Sequence, residues 1–205
     1  ILEQVILSDS FFLKDIPEKG KAALFEMIFL LFQRNAWFIR QRLCSKISSY
    51  FTKNSESILK DYLKSKSQIQ RYNSLAVLNF ALHNGIIGDM GHYKQIFVRI
   101  VKAKSSNSSV RSMAILNLAY SRDFELIKTL LPWFKVPDSN EMHDYLEACV
   151  MVDPNDPFTL NLIIQNTTDR SKEVFPNLFL DKISSHSGIK YLLKQLRDNE
   201  VFASY

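Results

Sequence analysis

This chain has little of what punctuates or cross-links a polypeptide. Its 205 residues include only 5 glycines and 6 prolines, too few turn formers for an all-β fold built from many short strands. The two cysteines, Cys44 and Cys149, each sit in an apolar stretch with no histidine at zinc spacing. That speaks against a disulfide framework and a cysteine–histidine metal centre, and points to buried thiols in a reducing, intracellular setting, cytoplasmic or nuclear. No apolar run reaches the roughly 20 residues that span a bilayer. The greasiest stretch, residues 22–32, is interrupted by Glu26 and closed by Gln33-Arg34, so no membrane association is expected. Missing too are a cleavable signal peptide, a P-loop, a G-x-S-x-G turn and any nucleophile–base set. The expectation is a protein that is not an enzyme and uses no cofactor and no metal.

What the chain does have is apolar residues, 46% of the total, which is ample for a continuous core. They recur at spacings of three and four, as in Ile96, Ile100, Val101 and again in Leu126, Ile127, Leu130, Leu131, the period of an amphipathic helix. Short polar breaks separate these faces. Pairing helices across the breaks predicts 21–33 with 36–52, 56–65 with 69–83, 92–104 with 110–121, 123–135 with 139–152, and 157–166 with 172–185, followed by a last helix near 188–197. Asp123 is placed to cap a helix, and Asp156-Pro157 has the N-cap and first-turn proline pattern. Pro132 should kink or end the helix that contains it.

Two segments nearly repeat. Ser74-Leu75-Ala76-Val77-Leu78-Asn79-Phe80-Ala81 and Ser112-Met113-Ala114-Ile115-Leu116-Asn117-Leu118-Ala119 lie 38 residues apart and differ only by swaps between apolar residues. A fixed offset of that size is the mark of stacked helix pairs, each too small to bury its own apolar face. Together with Val110-Arg111-Ser112-Met113-Ala114 after a short turn, these segments resemble the HEAT/armadillo superfamily of α-helical repeats. Asp198-Asn199-Glu200-Val201-Phe202-Ala203 looks like the turn of one more repeat. The chain also opens on Ile1 rather than Met. The fold expected is all-α, a right-handed α-solenoid of about five HEAT/armadillo-like helix pairs, with residues 1–205 forming one domain, a fragment of a longer array.

The resemblance implies a partner-binding role for Asn79 and Asn117. In armadillo proteins an Asn at this position faces the inner groove and bonds both N–H and C=O of an extended peptide. One amide supplies donor and acceptor together, so it reads a backbone without reading a side chain. The alternative is an Asn that bonds to a neighbouring helix inside the fold.

Charge gives a second signal because it is unevenly spread. Residues 27–122 hold fifteen Lys and Arg against three acids, whereas residues 123–169 hold nine acids against Lys128 and Lys135. Arg34, Arg40, Arg42 and Lys46 cluster around Trp37 and Phe38, while Lys66, Arg71, Lys104 and Arg111 come from turns and helix starts. The expectation is a non-catalytic scaffold whose concave, basic inner-helix face, with Arg71, Asn79, Lys104, Arg111 and Asn117, takes an acidic or extended protein segment. The alternative is a nucleic-acid-binding module that uses the same basic region to neutralise phosphates. A HEAT-like DNA glycosylase using Trp133 with Asp138 and Asp144 is a distant third, because those acids would repel a phosphate backbone. The acidic block itself (Asp138, Glu141, Asp144, Glu147) reads as a solubilising helix face, with a basic partner or a metal as the functional alternative.

Overall fold

The computed structural model describes residues 17–32, 51–134 and 139–167, and among these the regular structure is helical, with no strand. The helices are α1 (Glu18–Phe32), α2 (Lys53–Leu63), α3 (Gln68–His83), α4 (Gly91–Lys102), α5 (Ser108–Ala119), α6 (Phe124–Thr129), α7 (Ser139–Val152) and α8 (Pro157–Thr167). They match the predicted elements to within a few residues, except that the helix predicted at 123–135 ends as α6 at Thr129. The predicted helices at 172–185 and 188–197, nearly all of that at 36–52, the arginines around Trp37, Asp138 and the closing repeat at 198–203 lie outside the described residues.

Short polar side chains start these helices by occupying backbone N–H groups that have no helical partner. Thr52 and Ser55 form a reciprocal capping box at α2, with Ser55 N–H donating to Thr52 Oγ1 at 3.3 Å and Thr52 N–H to Ser55 Oγ at 3.0 Å. Asn107 accepts from Val110 N–H at 3.0 Å to open α5. Asp123 accepts from Leu126 N–H at 3.1 Å to open α6. At α8, Asp156 accepts from Phe158 N–H at 2.8 Å and Pro157 takes the first position. Pro132 acts as its ring requires: α6 stops at Thr129 and the chain passes through a 3₁₀ turn at Leu131–Trp133.

The helices form two rows. In the first, α5 packs on both α3 and α7; in the second, α2 lies on α3, α4 on α5 and α6 on α7. Helix α1 packs on α2, where Phe29 meets Tyr62 edge-on at 4.9 Å, and α8 packs on α7. One core runs between the rows, including Leu59, Leu75, Leu78, Phe97, Val101, Ile115, Leu118, Tyr145 and Ile163. Each such side chain contributes about 1.5–3 kcal/mol by leaving water.

Lysines stitch the second row. Lys60 of α2 lies 5.1 Å from the Tyr93 ring of α4. From α4, Lys94 pairs with Asp123, and Lys102 sits 5.1 Å from the Trp133 ring. Lys128 of α6 reaches Asp156 at the head of α8, at 3.4 Å. Three of the basic residues of 27–122, Lys60, Lys94 and Lys102, are thereby engaged within the second row.

The structural repeat does not have the period of the sequence repeat. The caps of α3 and α5, Ser67 and Asn107, are 40 residues apart, while the similar segments are 38 apart. Successive helical residues turn about 100° around the axis, so a slip of two turns the second segment by about 200°. The burial pattern follows. Ser74/Ser112, Val77/Ile115 and Ala81/Ala119 are buried in both helices, but the other five pairs differ: Leu75 and Leu78 are buried where Met113 and Leu116 are half-exposed, and Ala76, Asn79 and Phe80 are half-exposed where Ala114, Asn117 and Leu118 are buried.

Candidate functional site

The rotation decides the fate of the two asparagines. Asn117 faces α3 and is fully buried, and its side-chain amide donates to Leu75 O at 2.9 Å. At that burial the bond satisfies a donor that no ligand reaches. That corrects the expectation of a peptide-reading pair: Asn117 is the internal alternative, an amide bonded to the neighbouring helix. Asn79 is half-buried on the opposite arc, two residues off the structural equivalent of Asn117. The structure does not bring the two together as rungs of one ladder.

Arg71 and Arg111 are also turned inward. Arg71 is 8% exposed and donates from Nη2 to Ser105 O at 3.2 Å and from Nη1 to Ser106 Oγ at 3.5 Å, tying α3 to the turn before α5. Arg111 donates to Ser106 O at 2.9 Å, and its Nε lies 3.1 Å from Glu141 Oε1 of α7. Glu141 is 2% exposed; a carboxylate that deep needs a cation close by. Both guanidiniums therefore position helices. Of the five expected partner-binding residues, Lys104 alone is exposed. Lys66 is exposed in the preceding turn, and the two turns are held together by Gln68, whose amide bonds Ser105 O and accepts from Asn107 N–H. Lys66 and Lys104 thus sit on this turn edge and not in a groove along the helices.

The open face of the first row has different chemistry. On α5 it carries Ser109, Met113, Leu116 and Tyr120, spaced three and four apart and left partly exposed by α3, α4 and α7. On α3 it carries Ile69, which is 59% exposed, with Tyr72, Asn79, Phe80 and His83. Helix α7 adds half-buried His143, Asp144, Glu147 and Met151. No Lys or Arg is among them, so the expectation of a basic inner-helix face is replaced by an apolar, aromatic face with carboxylates at one side.

Tyr120 links the three helices. Its hydroxyl lies 3.2 Å from His83 Nδ1 of α3. Burial first, and then the nearby charge of Glu147 on α7, raise its phenol above the ordinary range. On α7, His143 Nδ1 stands 3.8 Å from Asp144 Oδ1. Hydrogen bonding to Asp144 raises the imidazole pKa above its usual value, with the charges of Asp144 and Glu147 adding and burial opposing. One ligand atom each from His143, Asp144 and Glu147 can be drawn within 4.8 Å of one another, a donor set of the kind that holds a divalent transition metal. The sequence alone reads Asp144 and Glu147 as part of a solubilising helix face, with a metal or a basic partner as the alternative, and does not join His143 to them. The available signal was the placement of His143 and Glu147 four apart, on one side of a helix.

Of the remaining candidates for chemistry, Cys149 is enclosed and Trp133 half-buried. Burial pushes the Cys149 thiol up to about 12, which keeps it neutral and unreactive. Trp133 packs under Lys102. Among the described residues, no helix is long and apolar enough to cross a membrane. In comparisons with known proteins, no family model, no curated protein and no solved structure matches this chain.

Proposed function

We propose that this chain is a stretch of HEAT/armadillo-like α-solenoid that works as a non-catalytic scaffold, holding a protein segment across the open face of α3, α5 and α7. The observation that carries this reading is the run of partly exposed apolar side chains over all three helices: Phe80 on α3, Met113, Leu116 and Tyr120 on α5, and Met151 on α7. An apolar strip that crosses successive helices offers a segment several shallow pockets instead of one deep one, as repeat proteins use their extended surfaces. The chemistry favours a segment with apolar anchors over the acidic one expected from the overall charge, since among the described residues the open face carries carboxylates and no Lys or Arg.

The test is selection of a displayed library of random dodecapeptides on the full chain. Enriched peptides should bind the folded protein and lose that binding in Leu116→Glu, whose thermal unfolding should stay close to wild type because Leu116 is only half-buried. No enrichment, or enriched peptides indifferent to Leu116→Glu, overturns the reading.

A second reading, nucleic-acid binding, is favoured by one observation: exposed Lys66 and Lys104 flank the N-termini of α3 and α5 on one edge, where phosphates find both positive charge and helix-terminal N–H groups. Titration of duplex DNA and RNA at several salt concentrations tests it, with Lys66→Glu and Lys104→Glu as controls. Absence of binding at low salt removes it.

A further inference from the structure

We infer that the segment received on the open face is anchored by a basic side chain, Arg or Lys, held between Asp144 and Glu147 of α7, with its apolar neighbours on Met113, Leu116 and Tyr120 of α5. This rests on the docking reading above and names the chemistry of its partner.

The first support is how the chain pairs its own carboxylates. Glu56 is met by Lys60 at 3.7 Å, Asp61 by Lys64 at 3.5 Å, Asp123 by Lys94, Glu125 and Asp156 by Lys128, and buried Glu141 by Arg111. Asp89 and Asp153 accept from backbone N–H groups instead, of Gly91 at 2.7 Å and Asn155 at 3.0 Å, and Glu26 is exposed; Asp144, 3.8 Å from His143, and Glu147 are the half-buried acids of the open face. Among the described residues no Lys or Arg pairs with either, although each is half-buried and therefore partly desolvated. A carboxylate in that position gains more from a cation than a fully hydrated one does.

Placement is the second support. Asp144 and Glu147 are three apart on one helix face, and the charge of Glu147 reaches Tyr120 across the α5–α7 seam. Both acids are half-buried on α7, the helix packed against α5 and its apolar stripe. A guanidinium or ammonium lying there sits beside an aromatic ring and two carboxylates, with its aliphatic stem over Leu116 and Met113, the amphipathic fit long basic side chains favour. An acidic segment would meet like charge along the same line.

The dodecapeptide selection reads this directly. Enriched sequences should place Arg or Lys next to Leu, Met, Phe or Trp, and one such peptide, made synthetically with its basic residue replaced by norleucine, should bind about tenfold to a hundredfold more weakly, the scale of a charge-assisted contact. The Asp144→Asn/Glu147→Gln double variant should lose the same factor for the parent peptide and little for the norleucine analogue. Enrichment of acidic or purely apolar peptides that still need Leu116 overturns the inference and leaves the docking reading standing. So does equal binding by the double variant. A selection that yields nothing overturns both. Binding of the parent peptide that appears only with added Zn2+ and vanishes with EDTA also overturns it, by making His143, Asp144 and Glu147 a metal site.

Discussion

Residues 74–81 and 112–119 are the most alike stretches of this chain and have opposite faces to the core. In α3 the segment buries Leu75 and Leu78 and leaves Asn79 and Phe80 at the surface; in α5 it leaves Met113 and Leu116 at the surface and buries Asn117 and Leu118. Nothing in the eight residues themselves dictates this. The start of each helix does, because Ser67 and Asn107 fix where the first turn begins, and two residues of slip turn a helix by more than half a revolution. Likeness of sequence therefore established helices of the same build without establishing which side faces in.

The sharpest way to break the comparison is to truncate the two leucines that align in sequence. Leu78→Ala should cost about 3 kcal/mol, as a fully buried leucine does, and Leu116→Ala about 1 kcal/mol or less. Equal losses in urea unfolding would mean that the two helices share one register after all. The paired arginines come next. Arg111→Met leaves the Glu141 carboxylate without this cation and should cost about 2–3 kcal/mol, with part of the loss restored by adding Glu141→Gln. Arg71→Met, which loses only neutral partners, should cost less, about 1–2 kcal/mol. Smaller again is the contrast between the asparagines. Asn117→Ala should lose about 1–2 kcal/mol, because Leu75 O loses its donor inside the seam; Asn79→Ala should stay within about 0.5 kcal/mol. The smallest effect has the opposite sign. Gly85 follows α3 with φ of 66°, and Arg122 follows α5 with φ of 52°, a left-handed backbone that a side chain opposes. Arg122→Gly should raise the unfolding free energy by about 0.5–1 kcal/mol, and a loss on this substitution would mean that the Arg122 side chain makes a compensating contact.

Most of the helices were legible in the sequence because their signals are local. The three-and-four spacing, the caps at Asp123 and Asp156, and the break at Pro132 each act within a turn or two of where they stand. The candidate site was less legible because it depends on pairing across helices. Lys60, Lys94, Lys102 and Lys128 look like a solvated basic surface until each is seen reaching the next helix of its row. Arg71 and Arg111 look like groove residues until the turn carbonyls they grip are in place. Asp144 and Glu147 read as a solubilising face until the packing of α7 on α5 leaves them half-buried beside Tyr120.

The stitching of the second row gives the molecule unequal sides. Its lysine contacts are partly exposed and weaken as ionic strength rises, whereas the first row is held by the buried amide of Asn117, by the inward-turned Arg71 and Arg111, and by apolar packing, which salt screens far less. Added salt therefore loosens one side of the strip and leaves the other taut, as heat does to a bimetal. The expected response is a change of curvature rather than unfolding, visible as a shift in small-angle scattering at unchanged helical circular dichroism; a scattering profile that does not move between low and high salt would show the two sides to be equally stiff.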